Sequence, residues 1–153
     1  MEAGAPLLVI GCSDPGTVSY LTQLLASARV QIAIAEDGQR VIRMLKADDP
    51  PAMALLDMDL PAPGVQLVRE VRRLQNLRNI WLVLMSAESS SLRARAALAC
   101  GADGFLALPA DPAELTSLVS AAERGRRSRY ALRRAPEAHS RPLPGFRTAE
   151  IAG

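Results

Sequence analysis

Short apolar runs that alternate with amphipathic segments are the feature that most limits how this chain can fold. The first run, Leu7 to Ile10, contains only apolar residues and ends at Gly11, which favours a strand buried on both faces. Beyond Pro15 the apolar residues recur at helical spacing until about Leu25. The same alternation repeats along the chain and predicts strands over residues 7–10, 30–35, 53–56, 80–85 and 104–108.

Residues at the predicted helix ends support this interpretation. Asp14 or Ser13 can cap the first helix, with Pro15 in its first turn. Gly101 is suited to close the fourth helix in a left-handed cap. The last helix is expected to run on to about Arg134.

Five strands that alternate with helices predict an α/β fold, a doubly wound parallel sheet with helices on both faces. Ligands of such sheets lie beyond the carboxyl ends of the strands. We therefore expect the loops that start at Gly11, Asp57, Ser86 and Leu108 to converge.

Charge is distributed unevenly along the chain. Residues 1–123 hold ten Lys or Arg and fourteen Asp or Glu, whereas residues 124–153 hold eight Arg and two Glu. We expect a folded domain over 1–123 and an Arg/Pro-rich tail over 124–153 that is largely disordered. One alternative function is therefore a scaffold whose basic tail binds nucleic acid or anionic membrane. With only Tyr130 and Phe146 for base stacking, specific nucleic-acid binding is not expected, and a solvated linker is the simpler interpretation.

Several protein classes are excluded by composition. Two cysteines are too few for a disulfide scaffold, and no cluster has the spacing of zinc ligands. No apolar run approaches the ~20 residues of a membrane span, and the N-terminus lacks the pattern of a signal peptide. A cytoplasmic protein is therefore expected. The single histidine, His139, lies in the tail, which argues against a Cys–His catalytic pair with Cys12 and against enzymatic activity.

Three segments together resemble the receiver domain of bacterial response regulators in two-component signalling. They are the strand 53–56 followed by Asp-Met-Asp-Leu-Pro, the strand 81–85 followed by Ser-Ala, and the run Gly-Ala-Asp-Gly-Phe-Leu-Ala-Leu-Pro from Gly101. Their order and spacing agree with the receiver pattern from residue 6 to about residue 123. The resemblance implies the flavodoxin-like receiver fold.

Receivers accept a phosphoryl group on an aspartate after the third strand, which implies Asp57 here. The resemblance also implies a magnesium ion held by an acidic pair after the first strand, and a lysine after the fifth strand. Cys12 and Ser13 align with the acidic pair, and a shift of one residue would place Ser13 and Asp14 there. Leu108 stands at the lysine position. We therefore expect magnesium to bind weakly or not at all, and no other cofactor.

Two further positions keep the residue type of the family. Ser86 matches the hydroxyl that turns toward the phosphoryl group, and Phe105 matches the aromatic that reports the switch. Each also has a structural interpretation, Ser86 as a cap of the following turn and Phe105 as packing between the fourth helix and the sheet. The segment from Pro61 to Gly64 is one residue shorter than usual, which predicts a different path for this loop.

These departures predict an atypical receiver, or pseudo-receiver, that acts as a protein–protein interaction module independently of phosphorylation. Its expected partner is another signalling protein, such as a histidine kinase, a receiver or an output protein. In the family, the face of the fourth helix, fifth strand and fifth helix mediates dimerisation and output. That face implies a homodimer and the interaction residues Arg93, Arg95, Asp103 and Glu114. The alternative is a phosphorylatable receiver in which Asp57 takes phosphate from a histidine kinase.

Overall fold

The computed structural model of the 153-residue chain describes residues 8–61, 64–77, 79–88 and 90–134. Within these residues five strands alternate with five α-helices, and short 3-10 turns follow the first and third helices at Ala26–Ala28 and Gln75–Leu77. The strands are β1 (Leu8–Gly11), β2 (Ile32–Ala35), β3 (Met53–Asp57), β4 (Trp81–Ser86) and β5 (Gly104–Ala107). The helices are α1 (Pro15–Leu24), α2 (Gly38–Leu45), α3 (Gly64–Arg73), α4 (Ser91–Ala99) and α5 (Pro112–Arg134).

The strands form one parallel sheet in the order β2-β1-β3-β4-β5. This arrangement confirms the predicted doubly wound α/β fold. The strand order reverses between β1 and β3, so the loops after these two strands lead to helices on opposite faces of the sheet, at the position where such folds bind ligands. The register pairs Asp57 with Met85 and Ser86 with Ala107, which aligns the carboxyl ends of β3, β4 and β5.

Alternate residues of the strands enter two hydrophobic cores, one on each face of the sheet. On one face, Ile10 and Leu55 pack in a cluster with residues of α1 and α5, such as Leu21 and Leu115. The opposite face packs against α2, α3 and α4 through the side chains of Val41, Leu45, Val68, Val71 and Ala97. Because β1, β3 and β4 are covered on both faces, their sequences are apolar, as predicted, apart from Asp57 and Ser86 at the ends of β3 and β4.

Local sequence signals explain where most helices begin and end. Asp14 caps α1 and Ser90 caps α4, because their side chains accept the first free backbone N–H groups. Gly101 has φ +108°, the positive value that the predicted cap of α4 requires. Strand β2 is shorter than predicted, because the backbone turns at Arg29 (φ 56°) and β1 offers this edge strand only four partners, beginning at Ile32.

The last helix, α5, continues without a break to Arg134. The predicted disorder of the rest of the tail lies outside the described residues, as do the inner positions of the shortened segment between Pro61 and Gly64. None of the described helices is both long and apolar enough to cross a membrane.

Candidate functional site

The carboxyl ends of the strands bring together the residues that the sequence predicts to form a site. Asp57 and Ser86 are the last residues of β3 and β4, whereas Cys12 and Leu108 directly follow β1 and β5. Backbone hydrogen bonds continue past the strand ends: the amide of Met58 donates to Met85, and the amide of Leu108 donates to Ser86, at 3.0 and 2.9 Å. The predicted convergence of these loops is confirmed.

Asp57 lies half-buried at the centre of this edge, and both of its oxygens accept hydrogen bonds. The thiol of Cys12 donates to Oδ2, with 3.5 Å between sulfur and oxygen. The backbone amide of Asp59 donates to Oδ1 at 2.9 Å. The carboxylate is therefore held by its own loop on one side and by the residue that follows β1 on the other.

Cys12 is fully buried, and its surroundings favour the neutral thiol. Burial, together with the nearby carboxylates of Asp57 and Asp14, raises the pKa of Cys12 to about 11. The thiol therefore stays protonated at neutral pH and acts as a hydrogen-bond donor to Asp57. It contributes no negative charge to the site.

Asp14, the alternative candidate for an acidic metal ligand, caps the N-terminus of α1. Its Oδ2 accepts from the backbone amide of Thr17 at 3.1 Å and from the Thr17 hydroxyl at 2.6 Å. Both hydrogen bonds lower the pKa of the Asp14 carboxyl, and the one from the Thr17 hydroxyl has the larger effect. The neighbouring Ser13 is exposed.

The side chains around Asp57 do not fit as ligands of magnesium, the ion that the resemblance implies. Magnesium requires an octahedral shell of hard oxygen ligands, usually with one or two carboxylates from the protein. Asp57 brings one carboxylate, but its neighbour Cys12 brings a protonated sulfur. No group of three or more His, Cys, Asp or Glu in the described part of the chain is placed to hold a metal ion.

Ser86 is the one fully buried polar side chain in the part of the chain that the structure describes. Its hydroxyl donates to the carbonyl of Glu88 at 3.2 Å and accepts from the Glu88 amide at 3.0 Å. It also accepts from Nη1 of Arg93 at 3.0 Å. Ser86 thus caps the turn between β4 and α4, which is its predicted structural role, while a cation reaches the same oxygen.

Arg93 was predicted as an interaction residue on the face of the fourth helix, fifth strand and fifth helix, and its contact with Ser86 at the site was not predicted. Besides Ser86, its guanidinium contacts Asp59 at 3.3 Å and Glu88 at 3.2 Å. A basic residue in the first turn of a helix is unfavourable to the helix dipole, but this local signal does not identify the distant groups that Arg93 contacts.

The structure also corrects the predicted placement of Asp103. Its side chain is only 15% exposed and pairs with Arg72 of α3 at 2.6 Å, and it accepts from the Leu82 amide at 2.9 Å. Burial, opposed by the charge of Arg72, raises the pKa of the Asp103 carboxyl. Of the four predicted interaction residues, Arg95 and Glu114 are exposed, whereas Arg93 and Asp103 serve contacts within the domain.

Leu108 and Phe105 pack against opposite faces of the sheet. Leu108 is partly buried against the cluster that contains Cys12 and Leu106, so an apolar side chain lies where the resemblance implies a lysine. Phe105 is partly buried against the cluster that contains Ala97 of α4. Phe105 thus has the packing role that the sequence offered as its structural interpretation.

Comparisons with known proteins agree with this fold. The model of the response regulator receiver domain matches residues 13–120. The chain therefore belongs to the response regulator receiver domain family, which acts in two-component signalling. It is 31% identical over 92 residues to the two-component response regulator ORR3 of rice (Oryza sativa), an alignment that covers 60% of this chain and 70% of ORR3.

Solved structures of receivers have the same architecture. A putative response regulator from Chloroflexus aurantiacus superposes with a TM-score of 0.71 at 22% identity and covers 78% of this chain and 98% of its own. The receiver domain of Ssk1 from Saccharomyces cerevisiae, in co-crystals with the histidine phosphotransfer protein Ypd1, gives 0.67 at 17% identity and covers 78% and 90%. At these identities the likeness establishes the fold.

Proposed function

We propose that this receiver domain binds another signalling protein without being phosphorylated. The observation that carries the proposal is the contact between Cys12 and Asp57. A neutral, buried hydrogen-bond donor lies beside the candidate phosphoacceptor, on the side where the resemblance implies the acids that hold the metal.

Phosphoryl transfer to a carboxylate depends on positioning and on neutralising negative charge. The lysine that the resemblance implies is replaced by Leu108, which packs into the core. Lys46, the only lysine in the sequence, follows the last residue of α2. Because α2 runs away from the carboxyl ends of the strands, Lys46 lies toward the opposite edge of the sheet.

A receiver that takes no phosphate can still bind another protein, because protein binding requires a complementary surface and does not require phosphoryl transfer. The Ssk1 receiver, a structural neighbour, was crystallised with a protein partner. On this chain α4 carries Leu92, 75% exposed, and Leu98, 36% exposed. We propose that these leucines, with Arg95 and Glu114, form the surface that docks a signalling protein or a second copy of the chain.

A phosphodonor experiment tests the proposal. The full chain is incubated with magnesium and acetyl phosphate and analysed by intact-protein mass spectrometry, beside Asp57→Asn and a receiver that takes phosphate. We expect the masses of this chain and of Asp57→Asn to be unchanged by the incubation, whereas the reference receiver gains a phosphoryl group. A mass gain of one phosphoryl group that disappears in Asp57→Asn would contradict the proposal and establish a phosphorylatable receiver.

A further inference from the structure

Arg93 connects α4 to two loops at the carboxyl edge of the sheet. Its Nη1 lies 3.3 Å from both carboxylate oxygens of Asp59, in the loop after β3, and donates to Ser86 Oγ at 3.0 Å. Its Nη2 lies 3.2 Å from Oε1 of Glu88, in the loop after β4. The guanidinium of Arg93 thus contacts three residues outside α4, namely Asp59, Ser86 and Glu88.

The position of Arg93 within α4 makes these contacts relevant to how the helix is held. Its backbone amide donates to the capping hydroxyl of Ser90, so Arg93 belongs to the first turn. A positive charge there is unfavourable to the helix dipole, and the carboxylates of Asp59 and Glu88 offset it. These carboxylates are 61% and 75% exposed, so each ion pair alone contributes little. The bond to the buried Ser86 hydroxyl is shielded from water and is the firmer contact.

Apolar packing holds α4 only weakly. Ala97 is the one residue of this helix that is buried, and Leu92 in its first turn is 75% exposed. A buried alanine contributes far less hydrophobic stabilisation than a buried leucine. The side chain of Arg93 is 28% exposed and makes the polar contacts of the first turn with the rest of the domain.

We infer that Arg93 is a positioning residue that holds the first turn of α4 against the loops around Asp57 without any ligand there. The inference rests on the proposed function, since it gives a receiver that takes no phosphate a fixed α4 surface to present to its partner. The guanidinium of Arg93 links α4 to the loop after β3 through Asp59 and to β4 through the buried hydroxyl of Ser86. The positive charge in this link belongs to the chain itself, so no bound ligand is needed.

Amide hydrogen exchange of the full chain tests this inference. The wild type is compared with Arg93→Ala, Arg93→Lys and a matched control, Arg95→Ala, which removes an exposed arginine from the same helix. We expect exchange across Ser91–Ala99 to be about tenfold faster in Arg93→Ala and within about twofold of wild type in Arg95→Ala. Arg93→Lys should be intermediate, because an ammonium group cannot reach all three acceptors at once.

Two readouts separate positioning from a general loss of structure. Alanine is a better helix former than arginine, so faster exchange in Arg93→Ala cannot come from helix propensity. Added salt should speed exchange of α4 slightly in the wild type, by screening the exposed ion pairs, and leave Arg93→Ala almost unchanged. Exchange across α2 serves as the internal reference and should not change.

Equal exchange of α4 in Arg93→Ala and Arg95→Ala would overturn the inference, and so would an equal acceleration of α2 and α4. These outcomes are independent of the phosphodonor experiment, because no phosphodonor is present. If Asp57 gained a phosphoryl group while α4 loosened only in Arg93→Ala, the proposed function would fail and the positioning role of Arg93 would stand.

Discussion

At the scale of single residues, the identity of residue 12 decides which charge lies beside Asp57. The Cys12 thiol is buried, protonated at neutral pH and bonded to the Asp57 carboxylate. A neutral donor stabilises a lone carboxylate without a metal ion. A second carboxylate at this position would repel the first one unless a cation bound between them.

The substitution Cys12→Asp is predicted to make the stability of the domain depend on magnesium. Without the ion, the new buried carboxylate beside Asp57 should lower the free energy of unfolding by about 1–3 kcal/mol. Added magnesium should restore part of this loss, because an ion that binds only the folded state stabilises it. Thermal unfolding followed by circular dichroism measures both effects. Cys12→Ser is the control, and a Cys12→Asp protein that is indifferent to magnesium would contradict the prediction.

At the scale of elements, α3 is joined to β4 and to the segment before β5 by Arg72. Its guanidinium donates to the carbonyls of Ile80 and Gly101 at 2.9 and 3.0 Å and to Asp103 at 2.6 Å. Asp103 in turn accepts from the Leu82 amide. This network forms on the α3 side of the sheet, whereas Arg93 holds the start of α4, so the two ends of α4 are fixed by different arginines.

The raised pKa of Asp103 predicts how this network responds to pH. Burial, the largest influence, makes the folded state bind the Asp103 proton more tightly than the unfolded state does. The contribution of this carboxyl to stability therefore falls as pH rises from its ordinary value, 3.8, through its raised folded value. Relative to Asp103→Asn, the wild type should lose stability over the pH range from 3.8 up to full ionisation of Asp103 in the folded state.

Urea unfolding of both proteins across this range measures the difference. Asp48→Asn is the matched control, because Asp48 is exposed, and its difference from the wild type should stay flat. A wild type that gains stability relative to Asp103→Asn as pH rises would contradict the assigned sign.

Patterns within each element predicted the element order, a cap of the first helix at Asp14 or Ser13 and the positive φ at Gly101, because each depends on neighbours in sequence. The roles of Arg93 and Asp103 were not predictable in this way. Arg93 reaches Asp59 across 34 positions, and Arg72 reaches Asp103 across 31. The packing of distant elements decides which charged side chains make contacts within the domain. Local periodicity in the sequence does not contain that information.

At the scale of the whole molecule, the parallel sheet places Cys12 and Asp57 at the carboxyl ends of β1 and β3, the two strands between which the strand order reverses. This is the position where such folds bind ligands. Here the Cys12 thiol donates to Asp57, Asp14 caps α1, and Leu108, at the lysine position, packs against the core. The fold is that of a receiver, and the proposed function assigns it binding to a partner without phosphorylation of Asp57. Polyanion binding by residues 124–153 stays a prediction.

Amide NMR spectra of the full chain, titrated with magnesium and then with beryllofluoride as a phosphoryl mimic, test this central claim most directly. A domain that works without phosphorylation should show no shifts at Asp57, Ser86 or Phe105 in either titration, in a well-dispersed spectrum. Shifts at these residues that spread into α4 would contradict the account and show that the domain is a working phosphorylation switch.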